Sequence, residues 1–227
     1  MLKFDINVFI NYSVKDEGIV EKIERELSHY PFLKTFRAPK DIIGGAIWEK
    51  EIKNKITQCD IMLAILTENY YDSEWPVQEI GVAWMSNKPI LPISFKDTPP
   101  RGYIKNFQVK NFTYPLNYME INNIAQMLLP DTEYPEQIID ELIEHRLSLS
   151  KGWKESNAIG NTIKRYIERF SVEQTNRVIG ILNQNSEVSN AAFWRDEITK
   201  LLNNKPNLFN VETQDDVDNL SNILAEV

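Results

Sequence analysis

Cysteine is almost absent. Cys59 is the single thiol in 227 residues, so no intrachain disulfide can form. A lone thiol suits a reducing compartment, and a cytoplasmic location is the expectation. Histidine is nearly as scarce: His29 and His145 are the two. They lie far apart, without a Cys or His neighbour at metal-ligand spacing, which argues against a zinc site. Each reads instead as a solvated or helix-capping side chain. With only eight glycines, the chain has no P-loop, no three-glycine Rossmann fingerprint and no Gly-x-Ser-x-Gly elbow. Residues 1–5, Met-Leu-Lys-Phe-Asp, lack the apolar core of a signal peptide. The longest apolar run, Ile61 to Leu66, falls far short of the roughly 20 residues a membrane helix needs, so no membrane partner is expected.

What remains is the composition of an ordinary globular protein, 42% hydrophobic and 26% charged. The length allows one large domain or two modest ones. The net charge of −8 is unevenly placed. Through residue 130 there are 15 Lys/Arg against 16 Asp/Glu, whereas from residue 131 onward there are 10 against 17. The acidic back half argues against a nucleic-acid partner, which requires Lys and Arg to neutralise phosphates. The near-neutral front half leaves room for an anionic small ligand.

Residues 1–130 alternate short apolar strands with amphipathic helices. Residues 6–10 are rich in β-branched and aromatic side chains and read as a strand. A helix over 16–29 carries Ile19, Ile23 and Leu27 at steps of four. A weak strand follows at 33–37, then a helix at 46–57. Ile61 to Leu66 has the continuous apolar character of a strand buried on both faces. A helix at 76–86, a strand at 89–93, a fifth strand within 107–114 and a helix at 118–129 complete the half. This alternation predicts a parallel sheet covered by helices on both faces. Ligands bind such sheets at the carboxyl ends of the strands, here the loops at 11–15, 38–45, 67–75 and 94–102. From Tyr134 the pattern becomes helical. Stripes run through Ile138 and Leu142, through Ile159 to Phe170, through Val178 to Leu182, through Trp194 to Leu202 and through Val217 to Leu224. Ser171-Val172-Glu173-Gln174 reads as a capping box. Residues 131–133, after Pro130, are the expected boundary between a front domain at 1–130 and a helical domain at 131–227.

Three stretches stand out at the predicted strand ends. Ile10-Asn11-Tyr12-Ser13 closes the first strand and reads either as a polar turn or as a ligand-facing loop. Asp41-Ile42-Ile43-Gly44-Gly45-Ala46-Ile47-Trp48 is a long loop entering a helix. Its paired glycines and isoleucines fit either a turn over a small satellite core or a mobile, associating segment. In Ser73-Glu74-Trp75-Pro76-Val77-Gln78-Glu79, Trp75 and Glu79 are four apart on one helical face that Ala83 extends. The plain reading of Glu79 is a helix-start carboxylate, worth about 0.3–1 kcal/mol through the dipole, beside a core tryptophan. The functional reading is a carboxylate poised at the strand ends.

Together with Phe9 and the strand at 89–93, these stretches resemble the motifs of the TIR (Toll/interleukin-1 receptor) domain family, in the same order over residues 1 to about 130. Gly44 stands where that family's loop usually carries proline, and Asn11 where serine is commoner. Pro76 follows Trp75 where many members carry Cys or Val. The resemblance implies a flavodoxin-like five-stranded parallel sheet of order 2-1-3-4-5, here followed by a mostly α-helical C-terminal region. It implies NAD+ glycohydrolase or cyclase chemistry, with NAD+ as substrate, no cofactor or metal, and Glu79 as the catalytic group. By the same likeness, Phe9, Tyr12, Ser13, Asp41, Gly45, Trp48, Ser73 and Trp75 would surround the substrate. The class implied is a microbial immune effector of anti-phage defence that self-associates through its TIR domain. Residues 131–227 would then supply a trigger or partner surface. The alternative the family offers is a non-catalytic scaffold working by TIR–TIR association.

Overall fold

The structure, a computed structural model, describes residues 5–37, 45–129, 135–189 and 191–208. The chain divides into two compact units, Met1–Leu128 and Leu129–Val227.

The first unit is a five-stranded sheet in the order β2-β1-β3-β4-β5, with every neighbouring pair parallel. The strands are β1 (Ile6–Asn11), β2 (Leu33–Arg37), β3 (Ile61–Leu66), β4 (Ile90–Phe95) and β5 (Lys110–Phe112). The helices are α1 (Glu17–Leu27), α2 (Gly45–Gln58), α3 (Glu68–Tyr71), α4 (Glu74–Met85) and α5 (Tyr118–Leu128). This is the predicted flavodoxin-like arrangement. Two details differ from the periodicity. The fifth strand occupies three residues of the predicted eight, because Lys110 and Asn111 are exposed at the sheet edge and only Phe112 is buried. The four-residue helix α3 was not expected, since one turn is too short to show a 3.6-residue period.

Strand β3 is central, and Met62 to Leu66 are fully buried because helices cover both faces of the sheet. Side chains alternate across a strand. Phe9, Met62, Ala64 and Leu66 therefore share one face, packed with Ile52 and Ile56 of α2 and Ile80 and Ala83 of α4. Val20, Ile23 and Leu27 form the buried stripe of α1, and the turn between α1 and β2 is joined to α5 by the Tyr30 hydroxyl donating to Asn122 Oδ1 at 2.5 Å. Asn11 ends β1 in the same alternation as Phe9, so its side chain points toward α4.

The second unit is helical: α6 (Pro135–Leu142), α7 (Trp153–Ile163), α8 (Val172–Gln184), α9 (Ser186–Ser189) and α10 (Ala192–Asn204). Ile138, Ile139, Leu142, Ile159, Ile163, Val178 and Ile198 line its core. Trp194 is completely buried, and its indole N–H donates to Ser156 O at 3.2 Å. The capping box forms as the spacing predicts. Ser171 Oγ accepts from Gln174 N at 3.1 Å, and Gln174 Oε1 accepts from Ser171 N at 3.0 Å. A Cβ at Gly160 would lie 2.2 Å from the Phe193 ring, so any side chain there would have to displace the ring that α10 packs against α7. The predicted domain boundary at 131–133 and the fifth helical stripe at 217–224 lie outside the described residues. Among the described residues no helix is long and apolar enough to cross a membrane.

Candidate active site

The inward face of α4 is Pro76, Glu79, Ile80 and Ala83, the three-four spacing of a helix lying on a sheet. Three of the four are apolar; Glu79 is a carboxylate only 6% exposed. A buried charge needs a partner, and β1 provides it. Asn11, with no exposed surface, donates its Nδ2 to Glu79 Oε2 at 2.7 Å and to Pro76 O at 3.0 Å. Burial raises the Glu79 carboxyl from its ordinary 4.5 to about 7, and the Asn11 hydrogen bond opposes that rise. The group therefore titrates in the neutral range, where small changes in its surroundings decide its charge.

The Asn11 amide is itself held. Tyr70, buried at the end of α3, donates its hydroxyl to Asn11 Oδ1 and lies 3.3 Å from Pro76 O. Burial pushes its phenol well above the usual value, with Tyr71 and Glu79 adding to the rise, so it remains a neutral donor. Helix α3 is pinned in turn by Thr67, whose Oγ1 accepts from Tyr70 N at 3.1 Å and donates to the buried Asp16 Oδ2 at 2.5 Å. Asn69 Nδ2 donates to the other Asp16 oxygen at 2.8 Å. The Tyr71 hydroxyl donates to Pro99 O at 3.0 Å, and the Arg101 guanidinium lies 4.6 Å from the Tyr71 ring centre. These contacts tie the loop after β4 to α3.

Glu79 opens on a cleft of about 270 Å³ between α2 and α4, lined also by Trp75, Gln78, Val82, Glu49 and Lys53. The α2–α4 groove is where the carboxylate, the flat indole and one cation meet.

The residues singled out from sequence separate into three groups. Glu79 and Trp75 share the cleft. Trp75 is 44% exposed, so it is not the core tryptophan of the plain reading. Glu79 sits in the second turn of α4, which begins at Glu74, and not at the helix start. The macrodipole fades within the first turn, so burial and Asn11 set its charge instead. Phe9 has no exposed surface and packs its ring 5.6 Å from Phe36. Tyr12 and Ser13 are buried just after β1, with Ser13 O accepting from Asp16 N at 2.7 Å. Ser73 caps α4 without a side-chain cap bond. Asp41 lies outside the described residues, as do Ile42, Ile43 and Gly44. Gly45 opens α2, and the side chain of Trp48 in that helix lies outside the description.

Sequence reasoning passed over Tyr70 and the Asp16–Thr67–Asn69 cluster. The signal available was Thr67-Glu68-Asn69-Tyr70, a polar stretch directly after a fully buried strand, where strand-end side chains must turn inward or meet ligand.

The family model of the TIR domain matches residues 8–128, and the chain belongs to that family. Solved structures similar to it include the following two. The TIR domain of the Toll-related receptor TRR-2 from Hydra magnipapillata is 15% identical with a TM-score of 0.40, covering 46% of this chain and 82% of that one. The CMP N-glycosidase BcmB of Clostridium botulinum is 16% identical with a TM-score of 0.39, covering 52% of this chain and 98% of that one. No curated protein matches the chain.

Proposed function

We propose that this TIR domain cleaves the nicotinamide–ribose bond of NAD+, with Glu79 as the group that meets the ribose. The observation that carries the reading is a buried carboxylate, oriented by Asn11, that opens on a cleft beside an exposed indole. In the reaction the bond between ribose C1′ and the ring nitrogen breaks. Its electron pair passes to nicotinamide, which leaves neutral. The sugar becomes oxocarbenium-like, water adds at C1′, and one proton is released. The leaving group needs no protonation, so one preorganised anion near the ribose hydroxyls serves both to orient the sugar and to stabilise its positive charge. Trp75 offers a flat apolar wall for a ring. Purified protein incubated with NAD+ should release nicotinamide, resolved by chromatography together with ADP-ribose or its cyclic form. Absence of nicotinamide from assembled protein would defeat the reading.

The charge state of Glu79 gives this activity a pH signature. The anion is the working form, and burial keeps the group protonated below about pH 7. The value of kcat/KM should therefore rise with pH and level off above about 7. The pyridinium of bound NAD+ favours the anion, so the limb for kcat should lie at lower pH than the limb for kcat/KM. Coincident flat profiles between pH 5.5 and 8.5 would count against Glu79.

The second reading, a non-catalytic scaffold, is favoured by one observation. On α4, Val77, Trp84 and Met85 are 47%, 41% and 77% exposed on the flank opposite Trp75, an apolar surface suited to association. The two readings are compatible if assembly completes the site. On that basis we propose self-association through the segment containing Ile42 and Ile43. Ile43→Asp should weaken self-association and lower NAD+ turnover with the fold intact. Sedimentation and turnover both equal to wild type would end that idea. We assign the helical unit the part of trigger or partner surface in a microbial defence system, testable by comparing turnover of the full chain with and without infected-cell extract.

A further inference from the structure

We propose that Tyr70 is a positioning residue for Glu79: its hydroxyl, donated to Asn11 Oδ1, keeps the N–H end of the Asn11 amide turned toward the carboxylate. The inference deepens the reading of Glu79 as the ribose-facing group and rests on it for its catalytic consequence.

An asparagine amide has two chemically opposite ends. Nδ2 offers two hydrogens, and Oδ1 offers two lone pairs. Both Nδ2 hydrogens are in use here, toward Glu79 Oε2 at 2.7 Å and Pro76 O at 3.0 Å. If the amide turned over, Oδ1 would face two oxygens. That arrangement is tolerable only when Glu79 carries a proton to donate. The orientation of Asn11 and the charge of Glu79 are thus one coupled equilibrium, in which the present orientation suits both charge states and the turned-over one suits only the neutral acid.

Tyr70 biases that equilibrium. It has one hydrogen and two oxygens within reach, Asn11 Oδ1 and Pro76 O, and Pro76 O is the more distant at 3.3 Å. In the turned-over state Tyr70 would accept from Nδ2 and send its hydrogen along that longer contact. Donation into Oδ1 also polarises the amide and strengthens the bond that Nδ2 makes to Glu79. The phenol remains protonated because burial raises it, so it donates across the whole pH range in which Glu79 titrates. Its placement is fixed from the other side by Thr67, through the Tyr70 backbone N–H, and by Asp16 behind Thr67. Among the described residues, the other ionisable groups facing Glu79 across the cleft are Glu49 and Lys53 of α2, one of each sign. Asn11, Trp75 and Gln78 are neutral.

The test reads Glu79 directly. Carbon-13 NMR of the Glu79 carboxyl is followed against pH in wild type, Tyr70→Phe and Tyr71→Phe, alongside kcat/KM for NAD+. Tyr71 is the control, since its hydroxyl donates to Pro99 O and not to Asn11. The Glu79 titration should move to higher pH in Tyr70→Phe and coincide with wild type in Tyr71→Phe. On the acid limb kcat/KM should fall about threefold to tenfold, the worth of one hydrogen bond. On the alkaline plateau it should change by less than about twofold, because Glu79 is ionised there in both proteins. Should Tyr70→Phe fail to fold, 3-fluorotyrosine at position 70, a stronger donor, should move the titration to lower pH. A Glu79 titration unmoved by either change overturns the proposal, as does an equal loss of activity at both ends of the pH range. If wild-type protein leaves NAD+ intact, the carboxyl titration still decides the role of Tyr70, and the assignment of NAD+ cleavage fails separately.

Discussion

Glu79→Gln should lower NAD+ turnover by about 10²–10³-fold, the usual cost of removing one preorganised electrostatic group. The same change should leave the protein as stable as wild type at pH 4.5 and more stable at pH 8. The sign follows from the raised carboxyl. Its folded value of about 7 lies above the ordinary 4.5, so the folded state holds a proton that the unfolded state releases across that interval. Stability contributed by the neutral carboxyl is complete below about pH 4.5 and is lost as pH rises through about 7. At 1.36 kcal/mol per pH unit the loss in wild type approaches about 3 kcal/mol. Glutamine mimics the protonated form at every pH and removes that slope. Melting curves at pH 5 and pH 8, with turnover at pH 8, separate the possibilities. A structural glutamate would leave turnover unchanged on substitution. A glutamine variant that still consumed NAD+ at the wild-type rate would end the assignment of Glu79.

Asn11→Leu should produce the second largest effect. Leucine keeps the branched shape and the same number of side-chain heavy atoms at a site with no exposed surface, so the change tests hydrogen bonding more than packing. It removes the donor to Glu79 Oε2 and Pro76 O and the acceptor for Tyr70. A hydrogen bond to a charged group is worth about 1.5–3 kcal/mol. Its loss should move the acid limb of kcat/KM upward by about one to two pH units. At pH 7, where the wild-type carboxyl is about half ionised, the rate should then fall about fivefold to fiftyfold, with partial recovery at pH 9. Stability should fall by about 1–3 kcal/mol at pH 5, and further as pH rises and the carboxylate is left without its donor. An acid limb in the same place as wild type would show that Asn11 does not govern the charge of Glu79.

Much of this protein was legible without coordinates, and particular residues show why. Ile61 to Leu66 carried the signature of a strand buried on both faces, because six consecutive apolar residues leave no side for solvent and the run is too short for a helix of ordinary length. The alternation of such strands with amphipathic helices demanded parallel crossovers, and the capping box at Ser171 and Gln174 marked a helix start three residues wide. These signals are local. Each depends on the chemistry of neighbours in the chain, so the element types and the helical character of the second unit could be read directly, whereas the order β2-β1-β3-β4-β5 was implied only by the resemblance to the TIR family.

The candidate site was legible only in part. The motif stretch around Trp75 and Glu79 singled out one helix face and left two readings of Glu79, a helix-start carboxylate or a catalytic group. From spacing alone it looked like a helix-start carboxylate stabilised by a dipole. In the fold it lies a turn further along, inside the sheet–helix interface, where burial opposes its charge and Asn11 supports it. Asn11 is 68 residues away and Tyr70 is 59 residues from Asn11, separations at which no periodicity carries information. Sequence by itself determined which segments become strands and helices, because that choice is made by neighbouring side chains and backbone propensity. Tertiary structure alone decided that an amide, a phenol and a carboxylate would meet. Only the crossing of β1, α3 and α4 buries Glu79, and that burial raises its carboxyl against the opposing hydrogen bond from Asn11.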